Sequence, residues 1–282
     1  MTNAAINAHA QVLELNRTCE CIELDVTRTN RRFADASTLD EMSDLLTERP
    51  HLFAATAVFV SPQDMQSALA QIIAIEEVSR LPGYIDTIRA RTPLGGAPGQ
   101  GARETHTRGL SMGYDFHPTD TGPRLIEINT NAGGAFIAQL LSQSTGLPPD
   151  DIDPLEVALN ASRKDAATRA QQSAAPAQRL IGPAQRLISM FESEWLLAGR
   201  VGRPRTIAIV DEEPTAQYLY PDMLLTQGLL RAVGFEAILT DPASIDVTST
   251  GLASNAQSID FIYNRLTDFD LSKPAHRHLR DA

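Results

Sequence analysis

Residues 113–136 read GYDFHPTDTGPRLIEINTNAGGAF, and this run restricts the fold more than any other part of the chain. Residues 111–117 and 124–130 have strand character on either side of the turn Pro118-Thr119-Asp120-Thr121-Gly122-Pro123. Side chains alternate along a strand. Leu125, Glu127 and Asn129 therefore share one face and Ile126 and Ile128 the other. Glu127 and Asn129 then lie roughly 7 Å apart, within reach of the same ion. If the hairpin closes near Asp120-Thr121, Asp115 falls opposite Glu127 or one position away. Facing carboxylates on neighbouring strands repel, and a divalent cation removes the repulsion. Asp, Glu and an Asn carbonyl form an oxygen-only set that suits Mg²⁺ or Mn²⁺ and does not suit zinc. An ordinary solvated hairpin face carries the same residue types, so Glu-x-Asn alone leaves both readings open.

The residues just past the hairpin are more specific. Asn131, Ala132, Gly133 and Gly134 come directly after the second strand. Asparagines and paired glycines allow a tight turn and close approach of backbone to a ligand, and their N–H groups can form an anion-binding nest.

The C-terminal part has another texture. Residues 206–210 (TIAIV) form a buried-type strand, 219–233 an amphipathic helix ending before Gly234, 235–240 a second strand and 259–263 (IDFIY) a third. This is the βαβ rhythm of a parallel sheet. Glu212 and Arg265 each follow one of its strands, where open α/β sheets collect ligands. Arg265 is suited to holding a carboxylate, or else to an exposed ion pair with Asp268 or Asp270.

Towards the N-terminus, Ser37 caps a helical start with Asp40 and Glu41 in the first turn, and residues 54–60 have strand length. Ser61-Pro62 opens a helix running to about Arg80, and Leu81-Pro82-Gly83 stops it. Residues 93–101 (PLGGAPGQG) fit neither a P-loop nor GxGxxG, because Ala102, Arg103 and Glu104 stand at the deciding positions. From Pro154 to about Arg200 the chain is largely helical, with PAQRLI at 176–181 repeated at 183–188. Trp195, Phe191 and Leu196 pack a helix there, and His276 and His278 read as solvated surface.

Composition narrows the function classes. Lys plus Arg number 24 against 35 Asp plus Glu, a net charge of −11, with no basic tract. Nucleic acid is therefore excluded as the main partner, since phosphate neutralisation needs clustered cations. No apolar run approaches the roughly 20 residues that span a bilayer. The first 16 residues lack the pattern of a secretory signal, and Cys19 and Cys21 make no disulfide framework. The expectation is a soluble, cytoplasmic enzyme or small-molecule binder with no membrane association.

Asp115-Phe116, a spacer, then Leu125-Ile126-Glu127-Ile128-Asn129-Thr130 resembles the metal-binding hairpin of ATP-grasp ligases. The arrangement is most similar to the circularly permuted, eukaryotic-type glutathione synthetases, whose Glu-Ile-Asn-Thr also precedes a small glycine-paired loop. The segments 206–212, 229–235 and 259–265 resemble that family's substrate-domain strands and helix, in the same order. The resemblance covers roughly residues 105–280. Gly113 stands where the family has Arg, Asp268 where it has an aromatic, and Asn131 and Ala132 where it has serines.

The resemblance implies an α/β, glutathione-synthetase-like fold. Residues 1–195 form a helical and hairpin domain carrying the metal hairpin, and residues 196–282 a βαβ parallel-sheet substrate domain. It implies ATP-dependent joining of a small-molecule carboxylate to an amine through an acyl phosphate, with ATP and Mg²⁺ or Mn²⁺ as cofactors. Asp115, Glu127 and Asn129 would hold the metal. Asn131, Gly133, Gly134, Glu212 and Arg265 would position substrate. No side chain is required as a nucleophile. In that family a lysine-bearing nucleotide lobe follows the Tyr-x-Arg strand, whereas this sequence has only Lys164 and Lys273. The expectation is that the chain corresponds to the N-terminal part of a ligase, needs a C-terminal half and has little activity alone. The competing expectation is a non-catalytic, ATP-grasp-derived metal or small-molecule binder.

Overall fold

The computed structural model describes residues 3–18, 42–54, 58–91, 107–142, 183–269 and 271–281. The capped start at 37–41, the loop 93–101, the first copy of the PAQRLI repeat and both cysteines lie outside these residues.

Five helices and a hairpin come first: α1 (Asn3–Thr18), α2 (Met42–Thr47), α3 (Pro62–Ser79), α4 (Pro82–Arg91), the strands β1 (Gly113–His117) and β2 (Arg124–Asn129), and α5 (Ala135–Ser142). Helix α6 (Pro183–Leu197) leads to β3 (Thr206–Val210), α7 (Tyr220–Ala232) and β4 (Glu236–Thr240). Then come β5 (Ile245–Thr248), β6 (Gly251–Ser254), β7 (Gln257–Ile259), β8 (Phe261–Asn264) and α8 (Arg277–Asp281). The protein is mixed α/β, with parallel and antiparallel sheets.

Strand β3 lies between β4 and β8, parallel to both. All five of its residues are buried. Its alternation divides the core in two. Ile207 and Ile209 face Phe136, Phe191, Met223, Leu225 and Leu230 from α5, α6 and α7. Ala208 and Val210 face the other way, onto Ile245, Leu252 and Ile259 of the antiparallel meander β5-β6-β7. The sheet is thus a central layer, with helices on one side and a small second sheet on the other. The helix-side cluster also takes in Met42 and Leu46 of α2, so residues before and after position 195 share one core.

Local expectations were met where the chemistry was strong. Ser61 caps α3 by accepting the Asp64 N–H at 3.0 Å, with Pro62 in the first turn. Gly234 ends α7 with φ +89°. Three readings are corrected. Residues 54 and 58–60 are not strand. Instead, the Asn16 side chain accepts the Phe59 N–H and donates to the Phe59 carbonyl, both at 2.8 Å, replacing a ladder partner. Leu81-Pro82-Gly83 ends α3 but does not end helix, because Pro82 starts α4. The strand at 259–263 is two strands. Asp260 turns its carboxylate onto the Arg205 and Thr206 N–H groups at 2.8 and 2.9 Å, so β7 stays in the meander while β8 joins the parallel sheet. The meander itself was not foreseen, since its strands have only three or four residues each.

Candidate functional site

The hairpin pairs as the residue pattern predicts: Asp115 lies opposite Glu127 and Gly113 opposite Asn129. The register shifts between Asp115 and Phe116, leaving Ile126 without a partner. This bulge interrupts the alternation expected through Leu125, while Glu127 and Asn129 remain two apart on one regular stretch. Asp115 and Glu127 are exposed and Asn129 is half-buried. Asn129 donates its amide N–H to Asp115 at 2.9 Å. Among the described residues no group of three or more His, Cys, Asp or Glu side chains is arranged around a common metal position. The hairpin offers two carboxylates and an amide, a set that fits a hard cation keeping several waters.

From Asn129 the chain enters the glycine loop, which is held from both sides. Asn131 donates to the Leu266 carbonyl at 2.9 Å, and the Ala132 N–H donates to Ser111 at 3.1 Å. Arg265 lies just past β8 at its C-terminal end. Its Nη1 donates to the Ala132 carbonyl at 2.7 Å and to the Tyr263 hydroxyl at 3.3 Å. Arg265 as a residue is 8% exposed, and its Nε has no hydrogen-bond partner among the described residues. A Cβ at Gly133 would come within 1.9 Å of Arg265 Nη2 and 2.7 Å of Leu219 Cδ1, so only glycine fits. Arg265 thus faces the loop, and Asp268 turns elsewhere.

A residue that the sequence pattern does not single out completes the clasp. Asp222, in the first turn of α7 and 1% exposed, accepts the Gly134 N–H at 3.0 Å and the Ile137 N–H at 3.2 Å. It caps a helix other than its own. Burial pushes its carboxyl upward, while those N–H bonds, with that of Phe136, and the charge of Arg265 pull it down. Burial likewise raises the Tyr263 hydroxyl and Asp211, the first residue past β3. The only clue to Asp222 in the sequence is an acid set among Tyr, Pro, Met and Leu.

Glu212 is brought to the same end of the sheet, but not alone. Lys273 Nζ reaches both of its oxygens at 2.7 Å, and His276 Nε2 lies 3.0 Å from Oε1. The Lys273 hydrogen bond is the main cause of a lowered Glu212 carboxyl. His276 is fully buried, which corrects its reading as solvated surface. Its partner Asp268 fixes it, which the spacing of eight residues does not reveal.

A cavity of about 490 Å³ opens between β8, the end of α6 and residues 107–111. Trp195, Phe261 and Phe269 line it, and it meets the loop at Thr130 and Asn131. Asp115, Glu127 and Arg265 do not line it. Its size is ordinary for a small-molecule site, but the acidic hairpin and the Arg265 clasp lie outside its walls.

No helix among the described residues is long and apolar enough to cross a membrane. No family model matches the chain, and no curated protein matches its sequence.

Proposed function

We propose that this chain is an ATP-dependent carboxylate–amine ligase of the permuted ATP-grasp, glutathione-synthetase-like type. One observation carries the reading. A hairpin with Asp115 opposite Glu127 runs straight into a glycine loop clasped by Arg265, from the C-terminal end of a parallel strand. The acidic hairpin and the loop are thereby one continuous stretch of chain with the buried strand-end cation behind it, a juxtaposition that supports positioning for phosphoryl activation of a carboxylate.

In this reading Asp115 and Glu127 hold Mg²⁺ or Mn²⁺, with the Asn129 carbonyl as a third donor. The cation, when bound, neutralises phosphate charge. Asn131, Gly133 and Gly134 set the loop's main chain, and Arg265 keeps it open by holding the Ala132 carbonyl. Glu212 offers an anionic group at the strand ends to the amine. The substrates are a small carboxylate and an amine, in a cytoplasmic setting.

The test is a Mn²⁺ titration of the full chain followed by paramagnetic broadening of assigned amides. Broadening should centre on β1 and β2 and vanish in the Glu127→Ala, Asn129→Ala double variant. Broadening that persists in that variant removes the metal assignment and, with it, the ligase reading. Metal binding without ADP release from added ATP in the presence of a carboxylate and an amine would leave a binding protein.

A further inference from the structure

His276 has no exposed surface, and each ring nitrogen faces a different carboxylate. Nδ1 lies 2.7 Å from Asp268 Oδ2 and Nε2 lies 3.0 Å from Glu212 Oε1. Asp268 is fixed in turn by the Ser272 hydroxyl and the Lys273 N–H, each at 2.9 Å. The Nδ1 contact is therefore built into the turn at 268–276. The Nε2 contact is close but not aligned as a hydrogen bond, so Nε2 is buried without a hydrogen-bond partner among the described residues.

A neutral imidazole carries one N–H. If Asp268 takes it, the Nε2 lone pair confronts the Glu212 carboxylate, and the two repel. A second proton reverses the sign and makes Glu212 an acceptor. We propose that His276, oriented by Asp268, is a positioning residue for Glu212. With both ring nitrogens protonated, Glu212 is drawn against His276 and Lys273; with one proton, it turns outward from the ring.

The turn at Pro242–Ser244 packs on the turn at Pro274–His276. Asp241 there accepts the Glu213 and Ala243 N–H groups at 2.8 and 2.7 Å. On α8, Arg280 pairs with Asp281 at 3.2 Å, Arg277 is exposed and His278 is half-buried. Among the described residues, Asp268, Glu212 and, through Glu212, Lys273 are the charges that face the ring.

The significance for ligand binding rests on Glu212 meeting substrate, as in the ligase reading; the proton dependence does not. Two measurements on the full chain keep these apart. The first is ¹⁵N NMR of the His276 ring across pH in wild type and in Glu212→Gln, assigned through His276→Gln. The second ring N–H is expected to be lost at a lower pH in Glu212→Gln than in wild type. A ring carrying one proton at every pH, or losing the second at the same pH in both proteins, overturns the proposal.

The second is the rate at which a carbodiimide and a small amine label Glu212, read by peptide mass spectrometry. Labelling should rise several-fold in wild type as the ring loses its second proton, and lose that pH step in His276→Gln. If His276→Gln does not fold, Asp268→Asn replaces it. A step that survives in the folded variant overturns the proposal. The Mn²⁺ titration at the hairpin is unaffected by either outcome, so failure of the ligase reading registers separately.

Discussion

Strands β2 and β3 are nearly equal in length but differ in what holds them. β3 is buried at all five positions, flanked by parallel strands and covered on both faces. Among the described residues β2 has only β1 beside it; Ile126 is 65% exposed and Ile128 38%. The helices repeat the contrast. Eight residues of α7 are buried, whereas none of the 18 residues of α3 is. Two kinds of stabilisation are at work. The parallel sheet gains from apolar burial, at about 25 cal/mol per Å². The hairpin is tied down by single polar contacts, such as Tyr114 hydroxyl to Glu76 and Gln71 to the Pro123 carbonyl at 3.0 Å. The oxygen-bearing residues of the proposed metal site thus sit on the lightly held region, and the loop beyond them is gripped by the heavily packed one.

The largest expected effect tests that contrast directly. Ile209 is fully buried between the sheet and its helices. Ile209→Ala should cost about 2–5 kcal/mol, for lost burial and the cavity left behind. Ile126→Ala, on the exposed bulge, should stay within about 0.5 kcal/mol. Urea unfolding of both variants measures the difference. Equal losses would mean that the hairpin's apolar face is covered in solution and that the two regions are not distinct.

A smaller effect is expected where the regions meet. Gly133→Ala puts a Cβ into the Arg265 guanidinium and should cost about 1–3 kcal/mol by overpacking. Gly134→Ala meets nothing within 4 Å but forces φ +82° on alanine, at about 1–2 kcal/mol. The mechanisms separate in an Arg265→Ala background. There the cost of Gly133→Ala should fall and that of Gly134→Ala should not. Costs that simply add at position 133 would show that Arg265 does not define the loop.

The legibility of the sequence divides along the same line. TIAIV and the amphipathic run before Gly234 signal their elements because burial imposes a period, and the parallel sheet comes from their order. The opposition of Asp115 and Glu127 was legible because a short turn fixes register, and Arg265 because it ends a strand. Asp222 and His276 were not. Each is a polar residue buried by partners 85 or more residues away, or by a turn whose geometry no period encodes. The bulge at Ile126 was hidden for a similar reason: one unpaired residue leaves the composition of a strand unchanged.

The smallest effect separates the two regions by pH. At the rim of the parallel sheet, Lys273 holds Glu212 below its ordinary value by hydrogen bonding. The Lys273 N–H, with Ser272 and His276, holds Asp268 well below the carboxylate range. Depressed carboxyls stabilise the fold above their unfolded values of about 4, and that stabilisation is lost as pH falls through the folded values. On the hairpin the sign is reversed. Burial, then the hydrogen bond to Glu76, pushes the Tyr114 hydroxyl up to about 12. Its contribution is fully present below the unfolded value of about 10 and is lost as pH rises from there through 12. Acid should therefore loosen the Glu212–His276 rim first and alkali the β1–α3 contact first. Amide exchange at low and high pH, read residue by residue, locates the two effects. Lys273→Ala should remove the Glu212 part of the acid limb while the main-chain N–H at 273 still holds Asp268, and should leave the alkaline limb; Tyr114→Phe should flatten the alkaline limb alone. If either substitution flattens both limbs, the hairpin and the sheet unfold as one unit, and the difference between the two regions does not extend to their stability.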